Sequence, residues 1–365
     1  MRRFLHILLL LCATLIVGCD ATIHEYPDNT PIKPTSVPFT LDLDFTTDMP
    51  IINQTVTKKT RSGADLVDEN FDLRYIINVY RATEWRQVNG EFVKSFVFTK
   101  DDVSEWNHSV EIELDEGDYD IIVWADFVDQ GTDTDKYYNT ERFDYIYVKN
   151  ELEPCNDYRD AFIGYSRITL TKESRSESQI VPMERPLAKY RFISNDLETF
   201  VSRMLELKKK QQRGEEEDTK GEDPEDTKGD DDTKGDTKVQ IDINDYYVVF
   251  EYTSYVNTSF NALLDIPAAP SQMLSYRSEI RKINEVEAEL GFDYIFVNGV
   301  DTKVWIALAV FEKGTDLEVA RVEQFLVELS RSKCTEVRGP FLTTQETGGV
   351  GIVPEFDDEF TVEIH

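Results

Sequence analysis

Cysteine and histidine are scarce in this chain, four of each among 365 residues. That scarcity narrows the chemistry open to it. His6 lies in an apolar N-terminal run, and His24, His108 and His365 are scattered along the rest. Nothing in their spacing suggests a Ser-His-Asp or metal-His arrangement, and no cysteine pair has zinc-ligand spacing. Positive charge is also short: 39 Lys and Arg against 71 Asp and Glu give a formal net charge of −32. Such a chain repels nucleic acid phosphates and anionic lipid heads alike, so no nucleic acid partner is expected. No cofactor or metal motif is present, and catalytic residues are not expected. Two neighbouring carboxylates could form a glycosidase pair, but in so acidic a chain they occur by chance.

Within the first 19 residues there is a pattern. Arg2 and Arg3 precede the apolar stretch Phe4 to Val17, which ends in Ile16-Val17-Gly18-Cys19. The stretch falls short of the roughly 20 residues that a spanning helix needs. A charged start, an apolar middle and a small residue before a cysteine make a lipoprotein signal, with Cys19 as the lipid attachment site. Residues 1–18 are expected to be removed and residues 19–36, with Pro27, Pro31 and Pro34, to form a tether. Two or three acyl chains (palmitate or similar), at about 0.8 kcal/mol per buried methylene, hold a protein on a membrane stably. A lipid-anchored place at the outer membrane, facing the cell surface, follows as an expectation. Cys12 leaves with the signal, so Cys155 and Cys334 remain, as free thiols or as a disulfide between separate domains.

From Val37 onward the apolar period is two. Leu73, Tyr75, Ile77 and Val79 form one alternating row, Val110, Ile112 and Leu114 a second, and Tyr119, Ile121, Val123 and Ala125 a third. Such rows read as half-buried strands, and Asp115-Glu116-Gly117 reads as a hairpin turn between the last two. A β-sandwich over residues 37–184 is expected, and a second unit over 185–365. Its one clear helix should be capped by Asn195 and carry Leu197, Val201, Met204 and Leu205 on its apolar stripe. Residues 278–290 suggest a weaker helix ending at Gly291. Strands are expected through Tyr246, Val248, Phe250 and Tyr252, over 294–297, over 304–311, and in the closing run from Phe360 to His365. The acidic insertion 208–238, with four Asp-Thr-Lys copies and no large apolar side chain from Gly214 onward, predicts disorder, and it lacks calcium-loop spacing. Asp129, Asp133 and Asp135 predict another solvated acidic loop. Trp85, Trp106, Tyr137 and Tyr138 suit strands and cores better than a sugar-stacking platform.

Specific strings add a resemblance. Arg185-Pro186-Leu187-Ala188-Lys189-Tyr190-Arg191-Phe192, Tyr255 through Phe260-Asn261, and Gly291-Phe292-Asp293-Tyr294-Ile295-Phe296-Val297 resemble the fimbrillin-like and fimbrillin-A-associated anchor lipoproteins of type V pili. So do Thr335 to Thr343, Gly348 to Asp357, Tyr119 to Asp126 and Tyr137 to Thr140. Cys334, where an asparagine is commoner, and the acidic insertion depart from that pattern. The resemblance implies an all-β fold of two tandem transthyretin-like (Ig-like) sandwiches with little helix, and pilin subunits as partners through strand exchange. It also implies a processing site, Arg61, in the polar loop Thr46 to Asn70 that follows the first strand, Val37 to Phe45. Cutting there would release the strand with its lipid and make a shaft or tip subunit, whereas an uncut protein starting at Cys19 would be an anchor or a stand-alone lipoprotein. The uncut form is the expected one. A glycan- or host-binding surface lipoprotein is the alternative.

Overall fold

Alternating side chains put most of the chain into strands. The structure, a computed structural model, describes residues 36–53, 70–83, 90–101, 107–149, 153–176, 178–218, 240–268, 271–299 and 302–344. The signal, Cys19, the tether, Arg61, Trp85, Trp106 and the expected closing strand all lie outside the described residues. The first half holds β1 (Ser36–Phe45), β2 (Ile51–Asn53), β3 (Phe71–Arg81), β4 (Phe92–Lys100), β5 (His108–Asp115), β6 (Gly117–Asp129), β7 (Tyr138–Asn139), β8 (Ile146–Val148), β9 (Ala161–Leu170) and β10 (Ser178–Glu184). The second half begins with β11 (Leu187–Ser194) and the helix α1 (Leu197–Asp218). There follow β12 (Tyr246–Tyr252), β13 (Val256–Asn257), β14 (Ser259–Asn261), β15 (Ile266–Pro267), β16 (Ser271–Gln272) and β17 (Ser275–Glu279). The last are β18 (Arg281–Lys282), β19 (Ala288–Phe296), β20 (Thr302–Glu312), β21 (Leu317–Leu329) and β22 (Cys334–Gly339).

Seven strands of the first half form one sheet in the order β4-β3-β6-β9-β10-β1-β5, folded on itself. Among the described residues its two parts pair only at Met183↔Gly164 and Glu184↔Ile163. Phe45 on β1 nevertheless lies 6.0 Å from the Tyr75 ring on β3 and 5.1 Å from the Phe162 ring on β9. Strands far apart in the sheet order can touch only face to face, so this is a sandwich. Gly164 sits at the fold line, where a Cβ would come within 2.3 Å of Met183 Sδ and 2.9 Å of Pro182 O. The hairpin expected at residues 115–117 does not form. β5 pairs with β1, while β6 pairs with β3 and β9. The turn carries the chain from one layer to the other, and the Tyr119 hydroxyl donates back to Asp115 O at 3.0 Å.

In the second half, the sheet β18-β19-β11-β22-β2 packs on the sheet β17-β12-β20-β21. The helix expected at 278–290 is absent. Tyr276, Ser278 and Ile280 are buried between exposed Arg277, Glu279 and Arg281, which is a period of two. The Asn284 side chain then accepts from the amides of Val286 and Glu287, both at 2.8 Å, and turns the chain into β19. Gly291 does not end a helix; it lies inside β19, where a Cβ would be 2.8 Å from Phe250. Helix α1 does form, with Leu197, Phe200 and Met204 in the core, but Asn195 does not cap it. The Asn195 amide donates to Gly339 O at 3.1 Å, and the helix starts after Asp196. The helix also runs on to Asp218, into the stretch 208–238 expected to be disordered. Lys208, Lys209, Lys210 and Gln211 are good helix formers and extend it. Among the described residues no helix is long and apolar enough to cross a membrane.

β10 ends at Glu184 and β11 begins at Leu187, and the two halves of the chain are interlocked. β19 is buried along its whole length. Its Phe292, Tyr294 and Phe296 join the first-half core, together with Leu187 and Phe260. The sheet β15-β14-β8-β7 mixes strands of both halves. Arg159, 2% exposed, reaches from the first half to Asp293 in a buried ion pair. Asp293 also accepts from the Tyr252 hydroxyl at 2.8 Å, and the Tyr190 hydroxyl lies 2.7 Å from that of Tyr252 and 2.8 Å from that of Tyr276. Residues 185–365 expressed alone should therefore fail to melt cooperatively, with one face of β19 and the Asp293 carboxylate uncovered. A sharp calorimetric transition from that fragment would show the halves to be independent.

Candidate functional site

Strand β1 is the element that a cut at Arg61 would have to free, and its surroundings fix what cutting could do. Val37, Phe39, Leu41, Leu43 and Phe45 alternate along it and are all buried. On one side β1 pairs antiparallel with β5, from Ser36↔Asp115 to Leu43↔His108. On the other it pairs in parallel with β10, from Thr40↔Ser178 to Phe45↔Met183. It is therefore an interior strand. On its outer face, the Ser109 hydroxyl donates to Asp42 at 2.6 Å. Hydrogen bonds from Ser109, and then from Ser178, hold the Asp42 carboxyl below its ordinary value. Burying those side chains contributes about 1.5–3 kcal/mol each, so pulling the strand out costs on the order of 10 kcal/mol unless another strand replaces it.

The polar loop expected after β1 is held at its start. Arg185, 5% exposed, aims its guanidinium at three successive carbonyls. Nη1 donates to Thr46 O at 3.1 Å and to Asp48 O at 3.3 Å, and Nη2 donates to Thr47 O at 2.8 Å. Its Nε donates to both carboxylate oxygens of Asp160, at 2.9 and 2.8 Å. Burial pushes the Asp160 carboxyl above its ordinary value, and Arg185 opposes that. Next, the Cys334 amide donates to Pro50 O at 2.9 Å, and β2 adds a parallel strand to β22 from Ile51↔Cys334 to Asn53↔Glu336. The N-terminal segment thus completes a sheet in each half. Nothing in Thr46-Thr47-Asp48 signals this in the sequence, because the bonds run to backbone carbonyls that every residue carries.

The other residues singled out by sequence fall into structural roles. Cys155 and Cys334 are both free thiols. Burial pushes the Cys334 thiol up to about 11 and raises Cys155 as well. Cys155 Sγ lies 3.1 Å from Ser278 Oγ and accepts from the Phe292 amide at 3.3 Å. His108 stacks on Tyr75 at 5.2 Å, and Tyr137 and Tyr138 are buried. The acidic loop at 129–135 is not a merely solvated run. Asp135 accepts from Arg74 Nη1 at 2.8 Å and from Thr140 N and Oγ1 at 2.9 and 2.7 Å. Arg74 also forks onto the buried Asp126, at 2.9 and 2.7 Å. Among the described residues no group of His, Cys, Asp and Glu could hold a metal ion.

The profile of a family of unknown function (DUF6562) matches residues 32–365. No curated protein matches the chain. Among solved structures it is similar to a candidate polysaccharide-binding protein (DUF1812) of Bacteroides thetaiotaomicron, at 13% identity, covering 79% of this chain and 80% of that one with a TM-score of 0.43. A candidate adhesin of the same organism is similar at 10% identity, 80% of each chain and a TM-score of 0.41. The fimbrial anchor protein Mfa2 of Porphyromonas gingivalis is similar at 13% identity, 78% of this chain, 82% of that one and a TM-score of 0.37. Fimbrial proteins stand among the structural neighbours, but the family that matches by sequence is DUF6562.

Arg185→Met should destabilise the protein by about 3–5 kcal/mol, because it leaves Asp160 buried without its partner. Arg185→Lys should recover only part of this, since an ammonium lacks the fork that reaches several acceptors at once. Urea denaturation measures both, and a loss under about 1 kcal/mol for Arg185→Met would mean that the clamp is dispensable. In the folded protein at neutral pH, Cys334 should resist alkylation by iodoacetamide and become reactive on denaturation. Mass spectrometry reads the label, and rapid labelling of native Cys334 would contradict its burial.

Proposed function

The chain belongs to the family of unknown function DUF6562, and from that premise we propose that it is a non-enzymatic, fimbrillin-like surface lipoprotein that keeps its lipid. It acts as a pilus anchor or accessory subunit, or stands alone at the outer membrane. Two features support this reading. The first is the signal ending at Cys19, whose thiol is the only group there able to take diacylglycerol. The second is the observation that carries the choice of role. β1 is an interior strand with a buried face, and the segment behind it is clamped by Arg185 and paired with β22. A cut at Arg61 would sever the chain beyond all of these contacts and release none of them.

An anchor of this kind joins a polymer by receiving or lending a strand, with main-chain pairing for affinity and alternating side-chain pockets for specificity. Growth on a lipid-held base needs the base to stay whole, which a tightly seated β1 favours.

Protein purified from its own cells should begin at a lipidated Cys19, and Cys19→Ser should accumulate as an unlabelled precursor when cells are fed a fatty-acid analogue. N-terminal sequencing and the label read this out. A mature start at Ser62 would make the protein a shaft or tip subunit and overturn the proposal, as would equal label in mutant and wild type. Surface filaments probed for this chain separate the pilus component from the stand-alone lipoprotein.

A further inference from the structure

Two edge strands bound the seven-stranded sheet of the first half, and they differ. At one end β5 alternates buried Val110, Ile112 and Leu114 with exposed Ser109, Glu111 and Glu113. Two such edges brought together would repel through their carboxylates. At the other end β4, Phe92-Val93-Lys94-Ser95-Phe96-Val97-Phe98-Thr99-Lys100, carries no carboxylate and no proline, and two lysines are its only charges. Its only strand partner among the described residues is β3. Exposed edges are ordinarily shielded by charge, proline or brevity, because their bare N–H and C=O groups invite another strand. At nine residues β4 is long for an edge with so little shielding.

The register with β3 sorts the side chains of β4. Lys100, Phe98, Phe96 and Lys94 lie opposite Leu73, Tyr75, Ile77 and Val79 and share their inner face, while Ser95, Val97 and Thr99 face outward. β3 already lies over β5, where Tyr75 stacks on His108 at 5.2 Å. β4 therefore overhangs the other layer, and Phe96 and Phe98 are only half-buried. Val97 is 46% exposed, and Phe92 at 53% and Val93 at 36% continue the apolar patch. A chain of net charge −32 repels its own copies over most of its surface. At β4, Lys94 and Lys100 relieve that repulsion.

We propose that β4 is the contact through which two copies of this chain pair, antiparallel about a two-fold axis, into one continuous sheet. The strand's own residues select the register. With Phe96 on the axis all nine residues find a partner: Phe92 lies opposite Lys100, Val93 opposite Thr99, Lys94 opposite Phe98 and Ser95 opposite Val97. Lys94, whose Nζ already lies 4.5 Å from the Phe96 ring centroid, gains a second aromatic face across the axis. Moving the axis to Val97 would set Lys94 against Lys100, and like charges directly opposite destabilise a pair of strands. Moving it to Ser95 would leave Thr99 and Lys100 unpaired. A two-fold contact is self-complementary and closes at two copies, so it makes a dimer and not a fibre. It uses neither β1 nor the lipid, and so goes beyond the anchoring role.

The purified full chain in detergent, followed by sedimentation velocity over a range of concentrations, should show a monomer–dimer equilibrium. Val97→Glu places a carboxylate beside the axis on each copy and should weaken the dimer at least tenfold, with an unchanged circular dichroism spectrum. A second measurement does not depend on that variant. In a Cys155→Ser background, Phe96→Cys should form a disulfide with the same residue of the other copy on mild oxidation, because only a residue on the axis meets itself. Val93→Cys, placed opposite Thr99, should not. The proposal is overturned if the chain stays monomeric at every concentration, if its mass keeps growing past the dimer, or if Val97→Glu dimerises like wild type. Cross-linking of Val93→Cys as readily as Phe96→Cys would overturn it too.

Discussion

The guanidinium of Arg185 is the interaction on which the rest of the architecture depends. It stands at the chain boundary between the halves and binds Asp160 of the first half and the carbonyls of Thr46, Thr47 and Asp48. Its own carbonyl accepts from Arg331 Nε at 2.7 Å. One planar, always-charged group with several donors thus fixes the N-terminal segment and the connection into β9, while the backbone carbonyl of the same residue holds the turn before β22. A lysine could satisfy one of these partners well and not all of them.

Two sandwiches joined by a free linker would be expected to move against each other. Here the joint is a core. Phe292, Tyr294 and Phe296 pack into the first half from one face of β19, while Leu290 and Ile295 belong to the second-half core. Burial is the largest influence on Arg159 and works against its charge, but Asp293 together with Tyr138 and Tyr252 outweighs it and holds the guanidinium charged. Asp293 in turn is held by Tyr252. Such a network adds orientation more than stability, since a well-packed apolar joint could be as stable.

The same interlocking builds a cleft of about 660 Å³ beside the joint. Its floor comes from β3 and β4, its wall from a turn carried by Asp135, and its rim from the β14–β15 hairpin of the second half. Three stretches distant in sequence meet because Arg74 ties the acidic loop down to Asp126. An acidic loop that reads as solvated by composition is thereby a structural wall.

The sequence by itself determined the strands, because a period of two in Val37 to Phe45 or Leu73 to Val79 has only one buried face to offer. It also determined the helix stripe through Leu197 and Met204. Local pattern could not decide which strands pair. The turn at Asp115-Glu116-Gly117 has hairpin chemistry yet joins two layers, since pairing is settled by partners that come from elsewhere in the chain. Nor could it decide between helix and strand over 278–290, where Glu, Arg and Lys suit a helix and only Phe250 and β12 behind them impose the sheet. The seat of β1 and the clamp at Arg185 belong to tertiary structure alone. Each is made by groups brought together from far along the chain, and backbone carbonyls and buried amides leave no mark in a sequence.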